Sequence, residues 1–153
     1  MPAWETSHAA WFHLSCYGLA VASAVLPWLN AEMIVVAFAS MATSRGDLMA
    51  LAVLATAGQV TGKGLMYWTG RGAALVEAGG TRARLDKWRA RLERHRWHPL
   101  TWVFVSAVVG VPPLYIITVL AGAAKVPFGR FLAVTSLGRL LHFGMLVLVI
   151  GVR

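Results

Sequence analysis

Residues 9–42 decide the fold, and they read AAWFHLSCYGLAVASAVLPWLNAEMIVVAFASMA. An apolar run over 9–26 stops at the break PWLN, and a second run over 33–42 follows Glu32. The first run is close to the lower limit for a membrane span. The second has ten residues, and ten helical residues rise about 15 Å, half the hydrocarbon thickness of a bilayer. Residues 27–42 are therefore predicted to form part of a re-entrant hairpin, whose backbone must be covered by protein or water.

The composition indicates an integral membrane protein. Of the 153 residues, 58% are apolar and only 13% are charged, and the mean hydropathy is +0.66. A soluble domain of this length needs far more charge to cover its surface. Nucleic-acid binding is the usual alternative for a net charge of +8, but no soluble module surrounds the basic residues. Cys16 is the only cysteine, so no intramolecular disulfide and no cysteine-based metal site is expected. No motif indicates a cofactor or another metal site, and none is expected.

Half of the 14 lysines and arginines lie in one cluster between residues 82 and 96. Basic clusters resist export, so segment 81–98 is predicted to face the cytoplasm from a bacterial inner membrane. Three apolar residues recur within it at helical spacing and form a stripe against a basic face. This pattern favours a helix that lies on the anionic membrane surface, with Arg84, Trp88 and Arg91 in contact with lipid. A solvated charged linker is the alternative.

The second part of the chain repeats the organisation of the first. In the first half, a turn is expected at 43–47 and a spanning helix at 48–68. In the second half, half-length apolar segments are expected at 102–109 and 114–124, separated by a proline-containing break at 110–113. A second spanning helix is expected at 128–152. Shifting the sequence by 80 residues pairs Gly58 with Gly138 and Gln59 with Arg139. Paired interrupted segments in corresponding positions of two halves point to the binding site of a transporter.

We therefore predict an all-α integral membrane protein that forms a single membrane domain over 1–153. Its two inverted-repeat halves, about 9–77 and 99–153, each contain a re-entrant helical hairpin and a long transmembrane helix. The basic amphipathic surface helix joins the two halves.

Three polar residues are predicted to carry function in the membrane interior. A carboxylate such as Glu32 is costly there and suits proton binding and release, although it could also cap the following helix. Arg139 and His142 are three residues apart on an apolar helix and share one face. Arg139 should face the protein interior and pair with an acid or a substrate anion. If Glu32 is that acid, the pair could be structural.

A second polar group is expected on the first long helix. Gln59 and Lys63 are four residues apart and share a face, between glycines that also allow close helix packing. Asn30, in the first break, is a further candidate for substrate binding or coupling. The sequence around Lys63 lacks the spacing of a phosphate-binding loop and the hydroxyl residue that would bind magnesium.

Three motifs follow one another along the chain: PWLNAE at 27–32, GKGLMYWTGR at 62–71, and VPP at 111–113 followed by Ala121-Gly122. In order and spacing they resemble the motifs of the DedA superfamily, also called the VTT or SNARE-associated domain family. That family has a Pro-x-Glu re-entrant motif, a Gly-Asp-x-x-x-Tyr-x-x-Gly-Arg helix motif and a second re-entrant motif. The resemblance covers about residues 20–150.

The resemblance implies two inverted re-entrant hairpins and the transport or scrambling of lipids, including polyprenyl-phosphate carriers. By analogy, Glu32 is the proton-linked acid, and Tyr67, Pro112 and Pro113 belong to the substrate or coupling site. The family's arginines around the second proline have no counterpart in residues 108–115, and Lys63 stands where the family has aspartate. Our hypothesis is that Arg139, His142 and Lys63 supply the positive charge instead.

Three functions compete on these grounds. The first is a transporter or scramblase for a lipid-like, anionic substrate such as a polyprenyl phosphate or phospholipid, with protons as the coupling ion. The second is a non-transporting structural or assembly factor, which a Glu32–Arg139 bridge in a packed interior would favour. The third, a membrane-embedded lipid enzyme, needs a nucleophile–base pair or a metal that the sequence does not offer, so no enzyme is expected. Membrane lipids are the expected partners, and the sequence is compatible with a homo-oligomer.

Overall fold

The computed structural model describes residues 3–26, 28–73, 87, 90, 99–111 and 113–151, and the side chains among them from residue 10 onward. Within these residues the chain is all-helical, as predicted, and contains no strand. The helices are α1 (Ala3–Val25), α2 (Ala31–Met41), α3 (Arg45–Ala73), α4 (Pro99–Val109), α5 (Leu114–Ala123) and α6 (Phe128–Gly151).

The turn predicted over 43–47 is shorter than expected, because α3 begins at Arg45. The Ser44 hydroxyl accepts a hydrogen bond from the Asp47 amide at 3.0 Å, and the Asp47 carboxylate accepts one from the Ser44 amide at 3.1 Å. This reciprocal pair satisfies amides that a helix start leaves without partners. Helix formation is therefore favoured three residues earlier than the apolar run suggested.

Two helices, over Arg45–Gly72 and Phe128–Gly151, are long and apolar enough to cross a bilayer. The large apolar side chains that α6 exposes are Leu137, Leu140, Leu141, Met145, Leu148 and Val149. A soluble protein rarely exposes so much contiguous apolar surface, whereas lipid tails solvate it without cost. The pattern of exposure supports a membrane protein, as the composition predicted.

The chain forms two compact units, each with its own apolar core. Unit one comprises Met1–Gly62 and Arg139–Arg153, and unit two comprises Lys63–Gly138. The core of unit one contains Cys16, Ala20, Ala31, Val35, Leu51, Ala52, Ala55, Phe143 and Val147. The core of unit two contains Tyr67, Val103, Ile117, Ala121, Val126 and Phe131. These boundaries differ from those of the predicted repeat halves, and the division into halves stays a prediction.

In unit one, α1 packs closely against α3 at two glycines. A side chain at Gly58 would meet the Tyr17 carbonyl and Ala20, and one at Gly62 would meet Val21 and Ala24. The two glycines are four residues apart, so they open one face of α3 to the neighbouring backbone. The glycines around Gln59, which the sequence predicted to allow close helix packing, are therefore a packing site for α1.

In unit two, three further glycines allow helix backbones to approach. A side chain at Gly70 of α3 would meet the Val119 carbonyl of α5, and one at Gly122 of α5 would meet the Tyr67 carbonyl. Gly138 of α6 lies against Ala107 of α4. Small residues at these crossings bring the backbones together and make packing contacts that larger residues would prevent.

Several predictions fall outside the described residues. They concern the basic surface helix over 81–98, with Arg84, Trp88 and Arg91, and the Pro112 position. The inverted repeat and the re-entrant hairpins also stay predictions at this point.

Candidate functional site

The candidate site includes the first turn of α2, and the side chain of Asn30 caps this helix at its N-terminus. The Asn30 carbonyl oxygen accepts hydrogen bonds from the amides of Glu32 at 2.8 Å and Met33 at 3.3 Å. Asparagine is among the best N-cap residues because its side chain satisfies amides that have no intrahelical partner. Asn30, predicted as a binding residue, thus fixes the position of Glu32, whose carboxylate lies in the first turn.

The structure brings Glu32 together with Arg139 and His142. Glu32 was one of the partners considered for Arg139 from the sequence, whereas its contact with His142 was not predicted. Glu32 Oε1 lies 3.1 Å from His142 Nε2, in a hydrogen bond in which the carboxylate accepts. The same oxygen lies 3.8 Å from Arg139 Nη1, too far for a hydrogen bond. Arg139 and His142 present their side chains from one face of α6 because they are three residues apart.

Burial differs sharply across this group. The Arg139 side chain is 8% exposed, that of His142 is 20% exposed and that of Glu32 is 41% exposed. A buried guanidinium is costly unless its N–H groups are satisfied. Within the part of the chain that the structure describes, Arg139 Nε and Nη1 have no hydrogen-bond acceptor. The Phe143 ring, 5.5 Å from the guanidinium carbon, adds a cation–π contact.

This arrangement leaves Arg139 with donors that an anion could use. One carboxylate oxygen, shared with His142 and half-exposed, compensates the guanidinium only weakly. An oxyanion such as a phosphate could accept from two guanidinium nitrogens at once. The carboxylate and the imidazole beside it can each take up or release a proton. The group therefore places a buried cation, which could bind an anion, beside a carboxylate and an imidazole.

Gln59 lies elsewhere in unit one and has a structural role in the described contacts. It is 1% exposed, and its amide nitrogen donates to the Ala20 carbonyl at 3.1 Å and to the Ser23 hydroxyl at 2.7 Å. These bonds hold α1 against α3 beside the Gly58 and Gly62 contacts. Lys63, which shares a helix face with Gln59, is 4% exposed and belongs to unit two. Their participation in substrate binding stays a prediction.

Tyr67 in unit two is buried in a network of rings and hydrogen bonds. Its hydroxyl donates to the Val126 carbonyl and accepts from Arg71 Nη1 at 2.9 Å. Its ring stacks on Phe131 with centroids 5.1 Å apart and meets Phe128 at 5.1 Å. The described contacts of Tyr67 fasten α3 to the turn before α6. Sequence reasoning overlooked Arg71, although the motif that contains Tyr67 also ends in this arginine.

The second break contributes no side-chain donor or acceptor from its described part. Pro113 precedes α5 at the N-cap position and makes no side-chain cap hydrogen bond. An apolar cleft between α4 and α5 is lined by residues that include Trp102, Val103, Ile117 and Leu120. None of its described lining residues is ionisable, so the chemistry of this lining suits hydrocarbon rather than a charged head group.

Comparison with known proteins identifies the family. The family model of the VTT domain matches residues 26–152, which is most of the chain and includes α2 to α6. Comparisons with curated proteins and with solved structures gave no significant match. Proteins of the VTT family are membrane proteins, which agrees with the two apolar helices long enough to span a bilayer. The chain belongs to the VTT domain family, the DedA or SNARE-associated family that its motifs resembled.

Proposed function

We propose that the protein is a membrane transporter or scramblase for a lipid-like, anionic substrate, and that protons are its coupling ion. The observation that carries this proposal is the Arg139 guanidinium, buried on α6 with Nε and Nη1 lacking hydrogen-bond acceptors among the described residues. Charged residues at membrane depth mark substrate or ion pathways more often than they stabilise the fold. A phosphate-bearing lipid head group would supply the missing acceptors.

The proton-coupling part rests on the contact between Glu32 and His142. Both groups can bind a proton, and their heavy atoms are 3.1 Å apart. Protonation of Glu32 would weaken its attraction for Arg139 and leave the guanidinium to a substrate anion. Deprotonation would restore the ion pair and favour release. The carboxylate and the substrate would then alternate as the counter-ion of one cation.

The packing of unit two supports a re-entrant course for α4 and α5. Gly138, which contacts Ala107 near the end of α4, is ten residues into α6, a helix of 24 residues. Ten residues of helix rise about 15 Å, which is half the hydrocarbon thickness. A break that begins at Gly110 would therefore lie near the middle of the membrane. Neither α4 nor α5 is long enough to cross alone.

The packing of unit one supports a similar course for α1 and α2. Gly62, which contacts Ala24 at the end of α1, is 17 residues into α3, a helix of 29 residues. The break that follows Val25 would thus lie beside the interior of a spanning helix. Gly58 and Gly138 correspond under the 80-residue shift of the sequence. Gly58 packs closely against α1 and Gly138 packs closely against α4, and each of these is the first helix of its half. This correspondence favours the inverted repeat.

Reconstitution into liposomes tests the transport proposal. Vesicles carrying fluorescent phosphatidylglycerol would be treated with an impermeant quencher, and the loss of inner-leaflet fluorescence would report lipid movement. We expect the wild-type protein to move lipid, and Arg139→Gln to reduce the rate by about tenfold or more, as loss of a charge-assisted contact predicts. Arg45→Gln is the matched control, because it removes an exposed arginine from the first turn of α3.

Unchanged lipid movement in Arg139→Gln would refute the role of Arg139. Complete absence of movement in the wild type would favour the second candidate, a structural or assembly factor. That candidate has one specific observation in its favour, since Glu32 does approach Arg139 within ion-pair distance. The 3.8 Å separation and the half-exposed carboxylate make the pair weak as a purely structural bond.

The remaining parts of the proposal concern location and chemistry. We place the protein in a bacterial inner membrane, with segment 81–98 toward the cytoplasm and lipids as partners. The proposal includes neither an enzymatic step nor a cofactor. Self-association into a homo-oligomer would be compatible with it.

A further inference from the structure

Three parts of unit two form a basic corner. They are the last turn of α3, the turn between α5 and α6, and the first turn of α6. We define the basic corner as Trp68, Arg71, Lys125 and Arg130. Arg71 lies in the last turn of α3, and Arg130 is two residues into α6. The Tyr67 hydroxyl connects the elements, because it donates to the Val126 carbonyl and accepts from Arg71. The corner is thus held by contacts within one unit.

Arg71 is oriented at this corner by two contacts. Its Nη1 donates to the Tyr67 hydroxyl at 2.9 Å, and its guanidinium carbon lies 5.5 Å from the centre of the Trp68 ring. The bond to Tyr67 uses one of the five N–H donors of a guanidinium. Tyr67 is itself fully buried, so packing holds its hydroxyl, the acceptor for Arg71, in a fixed position. The guanidinium is therefore preorganised rather than free to sample solvent.

Lys125 occupies a position that would suit glycine better. Its φ is +57°, a conformation that L residues other than asparagine and aspartate rarely adopt. The turn is fixed by hydrogen bonds from the Lys125 amide to the Gly122 carbonyl and from the Val126 amide to the Ala121 carbonyl. The side chain is exposed. The ammonium of Lys125 is therefore accessible to a ligand at this turn.

The charge of the corner is uncompensated within the described residues of unit two. Those residues include five lysines and arginines but no aspartate or glutamate. Arg130 is exposed in the first turn of α6, where the helix dipole adds positive potential. Trp68 is 53% exposed and contacts Phe128 at 5.4 Å between ring centroids. Basic side chains with an exposed tryptophan at the end of a spanning helix are typical of the lipid head-group level.

We propose that the basic corner binds the phosphate of an anionic phospholipid from the surrounding leaflet. Arg71 and Lys125 contact the phosphate, Arg130 adds to the attraction, and Trp68 packs beside the glycerol and upper acyl region. The alternative is that Arg71 only compensates the negative end of the α3 dipole. That alternative explains neither the exposed lysine at a positive φ nor the exposed Arg130 at the start of α6. The site does not depend on the transport proposal.

Lipid binding to the purified full-length protein tests this site. Native mass spectrometry would measure the affinity for phosphatidylglycerol, with phosphatidylcholine as the neutral lipid and inorganic phosphate as a competitor. We expect the wild type to prefer phosphatidylglycerol. Lys125→Asn and Arg130→Gln should each lower that affinity by about fivefold, the factor that corresponds to about 1 kcal/mol per basic residue at a membrane surface. Asparagine tolerates a positive φ, so Lys125→Asn should preserve the turn.

Arg45→Gln is the matched control, since it removes one exposed arginine from the other end of α3. We expect this variant to bind phosphatidylglycerol like the wild type. The proposal is overturned if a double variant carrying both Lys125→Asn and Arg130→Gln keeps its affinity within twofold of the wild type. It is also overturned if Arg45→Gln loses as much affinity. Displacement of the lipid by an equal concentration of inorganic phosphate would show a free-anion site and refute the lipid assignment.

Discussion

At the scale of single residues, the buried Arg139 is the most unusual feature of the protein. A guanidinium that is 8% exposed should be surrounded by acceptors, yet among the described residues one carboxylate approaches it, at 3.8 Å. The carboxylate is shared with His142. A cation left under-satisfied in this way is poorly suited to stabilising the fold and well suited to binding an anion that comes and goes.

A double-mutant cycle on Glu32→Gln and Arg139→Gln should show weak coupling. We expect a coupling free energy of about 1 kcal/mol, because the carboxylate is half-exposed and the two atoms are beyond hydrogen-bond distance. The measurement is the free energy of unfolding in mixed micelles for the wild type, both single variants and the double variant. Coupling several times larger would indicate a structural ion pair and weaken the transport proposal.

The Tyr67 hydroxyl makes a second residue-scale prediction possible. Tyr67→Phe removes the group that bonds both Arg71 and the Val126 carbonyl in a fully buried position. We expect a loss of about 1–3 kcal/mol in the free energy of unfolding, because the carbonyl stays buried without a partner. Tyr115→Phe is the control, since Tyr115 is 38% exposed. Equal stability of the two variants would contradict the bridging role of Tyr67.

At the scale of elements, glycines determine how the helices pack. Gly70 and Gly122 bring the backbones of α3 and α5 into contact, and Gly58 and Gly62 do the same for α1 and α3. Gly70 and Arg71, which end the second family motif, therefore make two different structural contacts. Gly70 allows the helix crossing, and Arg71 bonds to Tyr67 beside it.

Alanine at Gly122 should destabilise unit two. A side chain there would meet backbone atoms of Tyr67 and Arg71, which cannot move aside as a flexible side chain could. We expect a loss of about 1–3 kcal/mol, the usual cost of overpacking. Gly144→Ala is the matched control, since a side chain at Gly144 has nothing within 4 Å. Thermal unfolding in detergent compares the two, and a Gly122→Ala protein as stable as the control would refute the close crossing.

The start of α2 can be tested through its cap. Asn30→Ala removes the acceptor of two amide hydrogen bonds and should cost about 1 kcal/mol of stability. Asn30→Asp should restore most of the loss, because aspartate caps equally well. If alanine were tolerated without loss, the cap would not be what positions Glu32. The same pair of variants in the liposome assay would show whether that position matters for lipid movement.

At the scale of the whole molecule, the decisive property is the course of the chain through the bilayer. The segments α4 and α5 together have 21 helical residues, so as one broken span they could also cross. A re-entrant hairpin puts both of their outer ends on one side of the membrane, whereas a broken span puts them on opposite sides. The distinction decides whether the two breaks can line a common pathway.

Cysteine labelling distinguishes the two courses. In a Cys16→Ser background, single cysteines at Lys87 and Lys125 should react with an impermeant maleimide from the same side, which we expect to be the cytoplasm. A cysteine at Ser44 should react from the opposite side, because Ser44 and Lys87 flank α3, which is long and apolar enough to cross the bilayer. Labelling of Lys87→Cys and Lys125→Cys from opposite sides would show that α4 and α5 form a broken span and would remove the basis of the transport proposal.

Much of the fold was predictable because it depends on local properties of the chain. Hydrophobic length separates the half-length helices α2, α4 and α5 from the long helices α3 and α6, and prolines and polar residues mark the breaks. The family motifs are local too, and the VTT domain match confirmed the family that they indicated. The start of α3 was misplaced because a serine–aspartate cap, rather than apolar character, begins that helix.

The sequence by itself determined that the chain is a helical membrane protein of this family, since apolar content and segment length need no knowledge of contacts. Only the tertiary structure decided which polar side chains meet. Glu32 and His142 are 110 residues apart in the chain and their atoms are 3.1 Å apart in space. In the same way, only the structure shows that the Tyr67 hydroxyl, which accepts from Arg71, donates to the carbonyl of Val126, 59 residues further along the chain. Spacing along one helix predicts a shared face, but only packing selects the partner of that face.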